Sequence, residues 1–321
     1  MATLQEKPTL MQQAFYGKGL DMTSGSVVIP KFHTSLAEVG EVAQELSQRI
    51  PLMRGTIRRG KIIYADKVTV GKGKVEDFIM APTCGKIIEN DDGYNLVFSH
   101  DLIDGWSWKF VMTEIMRLAE GGSLRDEYKC GYPAPKVRPT GPDTLRVKPF
   151  VGIRGRSVDF SFDIDFDIVK NHAKKYGIRV QELLATAFGR ALGNPNILTT
   201  KIIPGFEDHF GHYSLYGCGS LDENGFYKID CSHENYSRLM MRFGTGSSNG
   251  NAFVSSFPVG EANYTGVGHV QFLDMSQLGR AQLGTYPDRA VLRIQLNQAI
   301  ENPEFIAERT CEYLLSELGE Y

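Results

Sequence analysis

A chain of 321 residues is long enough for one large core or two packed lobes, and 42 % hydrophobic with 23 % charged residues is the make-up of a soluble globular protein. A formal charge of −3 supplies no footprint for nucleic acid or an anionic membrane, so neither is expected as a partner. Five cysteines, odd in number and without a C-x-x-C pair, argue against a disulfide framework or a zinc ribbon and fit a reducing, cytoplasmic compartment. Residues 1–30 show no basic start, apolar core and small-residue cleavage site, and no apolar run is long enough to span a bilayer, so a protein neither exported nor inserted is expected.

In chain order, Ser26 to Ile29 reads as a short strand. Ser35 with Glu38 three residues on makes a capping box, and Leu36, Val39, Val42, Ala43, Leu46 and Ile50 recur at helical spacing until Pro51 stops the run. Residues 54–70 alternate as a hairpin around Arg59 and Gly60, and Lys72 and Lys74 among glycines read as a hairpin tip. Tyr94 to Ser99 is a buried strand leading to His100, followed by a helix over residues 107–119 that ends at Gly121 and Gly122.

Residues 121–150 carry glycine, proline and charge without periodicity, which divides the chain into an N-terminal lobe 1–130, a crossover linker 131–150 and a C-terminal lobe 151–321. Val158, Phe160, Phe162 and Ile164 alternate as a half-buried strand. A helix ending at Gly177 and a second through Val180, Leu183, Leu184, Ala187, Phe188 and Leu192 follow. Strands are expected at 199–204, 213–219, 252–257, 266–273 and 289–297, and Asn302 as N-cap with Pro303 at the first helical position opens a terminal helix. Aligned without gaps, Leu96 to Gly105 and Arg293 to Asn302 are both a strand running into a junction and a helix, with His100 on Asn297 and Asp104 on Glu301. That is the pattern of two related lobes, or of two unrelated buried strand–helix units.

The stretch 99–107 sets an imidazole, a carboxylate and a glycine at a strand-to-helix junction. A histidine near its ordinary pKa is a natural base for taking a proton from an amine, hydroxyl or thiol at neutral pH. Asp104, four residues on, has the chemistry to bond backbone amides or an arginine and so hold the loop, and Gly105 opens a backbone conformation closed to other residues. On spacing alone, the same residues also describe a histidine beside an ordinary helix-start aspartate.

The run Ser99-His100-Asp101-Leu102-Ile103-Asp104-Gly105-Trp106-Ser107 resembles the H-H-x-x-x-D-G-W-S signature of nonribosomal peptide synthetase condensation domains, which group with chloramphenicol acetyltransferase and the plant acyltransferases. Ile50 to Ile57 is similar to the family's H-P-x-L-R-x-x-F segment. Phe162 to Leu192 resembles the strand and helix pair opening the family's second lobe, and the strand and helix from Leu292 onward also fit.

The resemblance implies an α/β, two-lobe chloramphenicol acetyltransferase-like fold of mixed sheets with flanking helices and an active-site channel between the lobes. It implies an acyltransferase moving an acyl group from a coenzyme A or carrier-protein thioester to an amine or hydroxyl acceptor, in a specialised-metabolite setting. His100 takes the role of general base, Asp104 that of the structural aspartate paired with Arg54, and Gly105 that of the close turn. The acyl-CoA or acyl carrier protein is donor and partner, a small molecule is acceptor, and no tightly bound cofactor or metal is implied.

The chain departs from the family where Ser99 replaces the first histidine of the doublet, where no D-F-G-W-G motif occurs, and in being shorter than a usual condensation domain. Loops shaping the donor side or the lid, and carrier-protein docking with them, are the features this shortening touches. An oxyanion needs a hydrogen-bond donor, and Ala252 to Gly260 resembles the superfamily's V-S-N-x-G strand, which makes Ser255 or Ser256 an oxyanion or substrate contact, or else ordinary strand serines.

Two other readings stand beside this one: a non-catalytic binding or docking module of the same fold, and a metal-dependent hydrolase using His209 and His212. Asp208, His209, His212, Cys231 and His233 are metal-ligating types, but the H-x-x-H pair lacks a helical context and a glutamate base. Gly244 to Gly250 lacks the lysine of a P-loop and reads as a loop, and His33 and His172 read as solvated histidines.

Overall fold

The structure, a computed structural model, describes residues 5–6, 25–29, 34–58, 61–73, 86–90, 93–98, 102–130, 157–202, 209–211, 214–231, 252–258, 269–270, 278–286 and 289–316. In chain order the elements are β1 (Gln5–Glu6), β2 (Gly25–Ile29), α1 (Leu36–Arg49), a 3-10 turn (Pro51–Arg54), β3 (Gly55–Arg58), β4 (Lys61–Tyr64), β5 (Thr69–Lys72), β6 (Lys86–Asn90), β7 (Gly93–Phe98) and α2 (Gly105–Ala119). There follow β8 (Ser157–Ile164), α3 (Phe166–Lys175), α4 (Val180–Ala191), β9 (Ile197–Ile202), β10 (Ser214–Leu221), β11 (Tyr227–Asp230), β12 (Ala252–Pro258), β13 (His269–Val270), β14 (Gly279–Thr285), β15 (Ala290–Asn297) and α5 (Pro303–Leu315).

The chain forms two compact units. Unit 1 is Met1–Ala134 with Ile202–Ser214 and Asn263–Gln271; unit 2 is Pro135–Lys201, Leu215–Ala262 and Phe272–Tyr321. The expected assignment of all of 151–321 to one lobe is corrected here, because two stretches of the second half belong to unit 1. Backbone pairing is the cause: β13 pairs antiparallel with β2, and Phe210 forms a parallel bridge with Cys130, its N–H donating to the Lys129 carbonyl at 3.0 Å. The expected linker 131–150 lies outside the described residues.

Unit 1 holds a five-stranded sheet of order β13-β2-β7-β6-β5 and a three-stranded sheet of order β1-β4-β3. The capping box forms as expected: the Ser35 hydroxyl accepts the Glu38 N–H at 3.3 Å, and the Glu38 carboxylate accepts the Ser35 N–H at 2.7 Å. Val39, Ala43, Leu46 and Ile50 are buried, and α1 packs against α2, whose Val111, Met112 and Ile115 are also buried. β3 and β4 form the expected hairpin, with Arg58 opposite Lys61. β5 leaves that hairpin and pairs in parallel with β6, so Lys72 sits at a strand end, in an ion pair with Glu89 at 2.7 Å, rather than at a hairpin tip.

Unit 2 is a seven-stranded mixed sheet of order β11-β10-β9-β12-β14-β15-β8. Helices α3, α4 and α5 cover one face, where Ala252, Val254, Ala281, Leu283, Leu292, Ile294 and Leu296 meet Leu183, Leu184, Phe188, Ala307 and Leu314. α4 is sunk deeply, with Glu182 to Gly189 all buried. Close approach there requires glycine: a Cβ on Gly189 would stand 2.9 Å from Cζ of Tyr227, and one on Gly279 would stand 2.6 Å from Cδ2 of Leu296. Asn302 precedes Pro303 as expected, but with φ of 51° and no side-chain cap bond.

Candidate functional site

The strand-to-helix junction between β7 and α2 is where the sequence concentrates its chemistry. Ser99 and His100 lie outside the described residues, and the description resumes at Leu102. Leu102 and Ile103 are buried at 2 % and 4 % exposure and anchor the junction in the core of unit 1. Asp104, also buried, is the N-cap of α2: its backbone is extended and its Oδ1 accepts the Ser107 N–H at 2.9 Å. The carboxylate thus takes up an amide that the first helical turn leaves unpaired.

The same junction is held from outside. The Asp104 N–H donates to the Gly211 carbonyl at 3.0 Å. The Ser107 hydroxyl, fully buried, stands 2.6 Å from that carbonyl and accepts the Gly211 N–H at 2.8 Å. The His209 carbonyl lies 3.2 Å from the same hydroxyl. His209 is therefore part of the segment pinned to the start of α2, while His212 lies outside the described residues. Sequence reasoning missed this clasp, since nothing local announces a contact spanning 104 residues.

Farther along α2, Glu114 is fully buried and receives Arg117, Arg125 and the Tyr128 hydroxyl. Burial works to raise its pKa, and these donors overcome that and hold it below the usual carboxylate value. The network fastens residues 125–128 to the helix, next to the Lys129 and Cys130 backbone that holds Phe210. Lys109 lies 5.2 Å from the Trp106 ring centroid, and burial pushes its ammonium pKa down.

Two expected roles are corrected. Arg54 does not pair with Asp104: its Nε donates to the Ser47 carbonyl at 3.3 Å and its Nη1 to the carbonyls of Ala65 at 2.8 Å and Asp66 at 3.3 Å. The reason lies in Pro51. The Ser47 carbonyl would accept the N–H four residues on, and proline has none, so the guanidinium fills that place. Gly105 is not the close turn either. It is the first residue of α2 and is not among the described glycines with positive φ, so it takes no backbone conformation closed to other residues.

Ser255 and Ser256 separate by strand parity. Ala252 and Val254 point into the helix-covered core, which puts Ser256 on that face and Ser255 on the other, beside Phe253. Ser255 Oγ is buried and has no hydrogen-bond partner among the described residues, a state that costs about 1–3 kcal/mol when nothing fills it. Asn297 ends β15 and makes an Asx-turn, its Oδ1 accepting the Ala299 N–H at 3.0 Å. Five residues separate β15 from α5 and six separate β7 from α2, so the ungapped match of the two junctions is off by one at the helix. Among the described residues no group of three or more His, Cys, Asp or Glu side chains could hold a metal, and no helix is long and apolar enough to cross a membrane. His233 and the Gly244–Gly250 run lie outside the described residues.

No family model matches this sequence, and no curated protein matches it either. Solved structures do. The epimerization domain from the third module of tyrocidine synthetase B superposes with a TM-score of 0.65 at 11 % identity, over 98 % of this chain and 96 % of that one. The condensation domain from Monacolin K polyketide synthase MokA gives 0.66 at 10 %, over 98 % of both chains. VibH, a condensation enzyme of nonribosomal peptide synthesis, gives 0.58 at 10 %, over 95 % and 94 %. With mixed sheets, flanking helices and a likeness that runs nearly end to end, the chain has the fold of nonribosomal peptide synthetase condensation and epimerization domains.

Proposed function

We propose that this protein is a condensation-type acyltransferase, which moves an acyl group from a coenzyme A or carrier-protein thioester to an amine or hydroxyl acceptor. The observation that carries the reading is the built junction at Asp104 within a condensation-domain fold. A buried aspartate caps α2 four residues after His100, and a returning segment clasps the same turn. Such a frame is what a catalytic side chain needs to be presented in one orientation.

In the reaction, the His100 imidazole takes the proton of the acceptor N–H or O–H as its lone pair attacks the thioester carbonyl. Collapse of the tetrahedral intermediate breaks the C–S bond, and the imidazolium returns the proton to the leaving thiolate. Ser255, on the face of the sheet away from the helices, is a proposed substrate contact apart from the reacting carbonyl. The donor thioester is a substrate, and a carrier protein is the proposed partner when the donor is not coenzyme A.

Thiol release and product mass from a panel of acyl-coenzyme A and acyl-pantetheine thioesters, offered with mixed amines and alcohols, test the proposal. Acceptor-dependent turnover is expected, falling by about 10²–10⁴-fold in His100→Ala. Equal rates in wild type and His100→Ala would sink the assigned mechanism.

A further inference from the structure

The seven-stranded sheet has a second face, opposite α3, α4 and α5, and its side chains are unlike those of an ordinary solvated sheet. Parity places on it Leu198 of β9, Phe253 and Ser255 of β12, Arg280 and Gln282 of β14, Arg293 and Gln295 of β15, and the exposed Asp159, Ser161 and Asp163 of the edge strand β8. Arg280 is 9 % exposed and Gln295 8 %, and Arg280 lies over the Phe253 ring at 4.7 Å. Ser255, Gln282 and Arg293 are half-buried, so this part of the face is neither sealed nor solvated.

Gln282 is the centre. Ser255 is directly across from it on β12 and Arg293 directly across on β15, with Arg280 two residues back on the same strand. Gln282 and Arg293, an antiparallel pair, have Cβ atoms about 4.5–5.5 Å apart, and Ser255 stands beside Gln282 on the parallel strand β12, so a hydroxyl, an amide and two arginine side chains arise from one small patch of the sheet. The Ser255 oxygen, which has no hydrogen-bond partner among the described residues, lies in that patch.

We infer that this patch binds an oxyanion, a phosphate or carboxylate borne by a substrate of the protein, through Arg280, Gln282, Arg293 and Ser255. Arginine's planar fork suits either group, and a half-buried setting strengthens the bond. Asp159 and Asp163 lie to the β8 side of Arg293, which directs the anion toward β12 and β14, away from their carboxylates. Burial lowers the Arg293 pKa, with Tyr286 and Asp159 opposing the shift, and the guanidinium stays charged throughout the neutral range. The inference rests on the acyl-transfer reading for its choice of probes alone: a phosphate would come from the pantetheine arm of the donor, a carboxylate from an amino-acid acceptor.

Calorimetric titration of the full chain tests it with two matched pairs, 4′-phosphopantetheine against pantetheine and alanine against alanine amide. The anionic member of one pair is expected to bind at least about tenfold tighter than its neutral partner, and which pair does so names the source. That preference should vanish in Arg293→Gln and persist in Arg293→Lys. Arg293 is only half-buried, so its variants should fold even where Arg280→Gln does not, and circular dichroism checks this. Absence of preference in both pairs, or an undiminished preference in a folded Arg293→Gln, overturns the inference. Binding is read without turnover, so an oxyanion site on a protein that transfers no acyl group would be recognised as such.

Discussion

Ser107 and Gly211 exchange hydrogen bonds in both directions across 104 residues, with the hydroxyl 2.6 Å from the Gly211 carbonyl and 2.8 Å from its N–H. One side chain thus serves the returning segment while its own backbone N–H is taken by Asp104. Ser107→Ala strands a buried donor and should lower stability by about 1–3 kcal/mol, read as a fall in the urea midpoint. Turnover should fall further than the folded fraction, because the turn next to His100 loses its clasp.

Arg54 and Asp104 should separate cleanly. Arg54→Met removes bonds to three carbonyls near the end of α1 and should cost about 1–2 kcal/mol while leaving turnover per folded molecule within about twofold. Asp104→Ala removes an N-cap worth about 0.5–2 kcal/mol and should reduce turnover as well. Loss of activity at native stability in Arg54→Met would reinstate the pairing expected from the family resemblance.

Acid should reveal Glu182. Burial raises its pKa, but the Arg179 guanidinium and the N–H groups of Arg179 and Ile229 more than offset this and bring it down to about 2. A folded pKa below the unfolded value of about 4.3 means its stabilisation is complete above that pH and drains away as pH falls toward 2. Urea midpoints measured from pH 6 downward should therefore fall more steeply for wild type than for Glu182→Gln. Identical slopes would contradict the assignment.

Gly189→Ala pits helix propensity against packing. Alanine gains up to about 1 kcal/mol in a helix interior, whereas a Cβ 2.9 Å from Tyr227 Cζ forces the ring or the helix to move, at about 1–3 kcal/mol. Tyr227 has little freedom, its hydroxyl being bonded to the Pro195 carbonyl. Net destabilisation is expected; a raised denaturation midpoint would show that the strand yields.

The elements that local chemistry controls were legible in the sequence. Ser35 and Glu38 fixed the start of α1, Pro51 its end, and the alternation of Val158, Phe160 and Phe162 gave β8. β14 was not, because its core positions are Gly279, Ala281 and Leu283, small where Phe188 and Leu296 press close, and its other face carries arginine and glutamine instead of a plain polar alternation. β11 is four residues long, too short for its Tyr227 and Ile229 to declare a period. At the junction, the residue types and spacing of His100 and Asp104 were readable, but the Arg54 partner was not. That partner is set by a proton missing from Pro51, which local reading offers only once the helix end is known.

The return of residues 202–214 and 263–271 to unit 1 bears on how the protein is made. During synthesis the first 134 residues emerge with the β2 edge still unpaired and with no Gly211 to meet Ser107. Their sheet and junction gain these backbone pairs only once the chain through Val270 has been made, a long-range closure of the kind that slows folding. Until then the β2 edge that β13 covers is a surface open to wrong strand pairing.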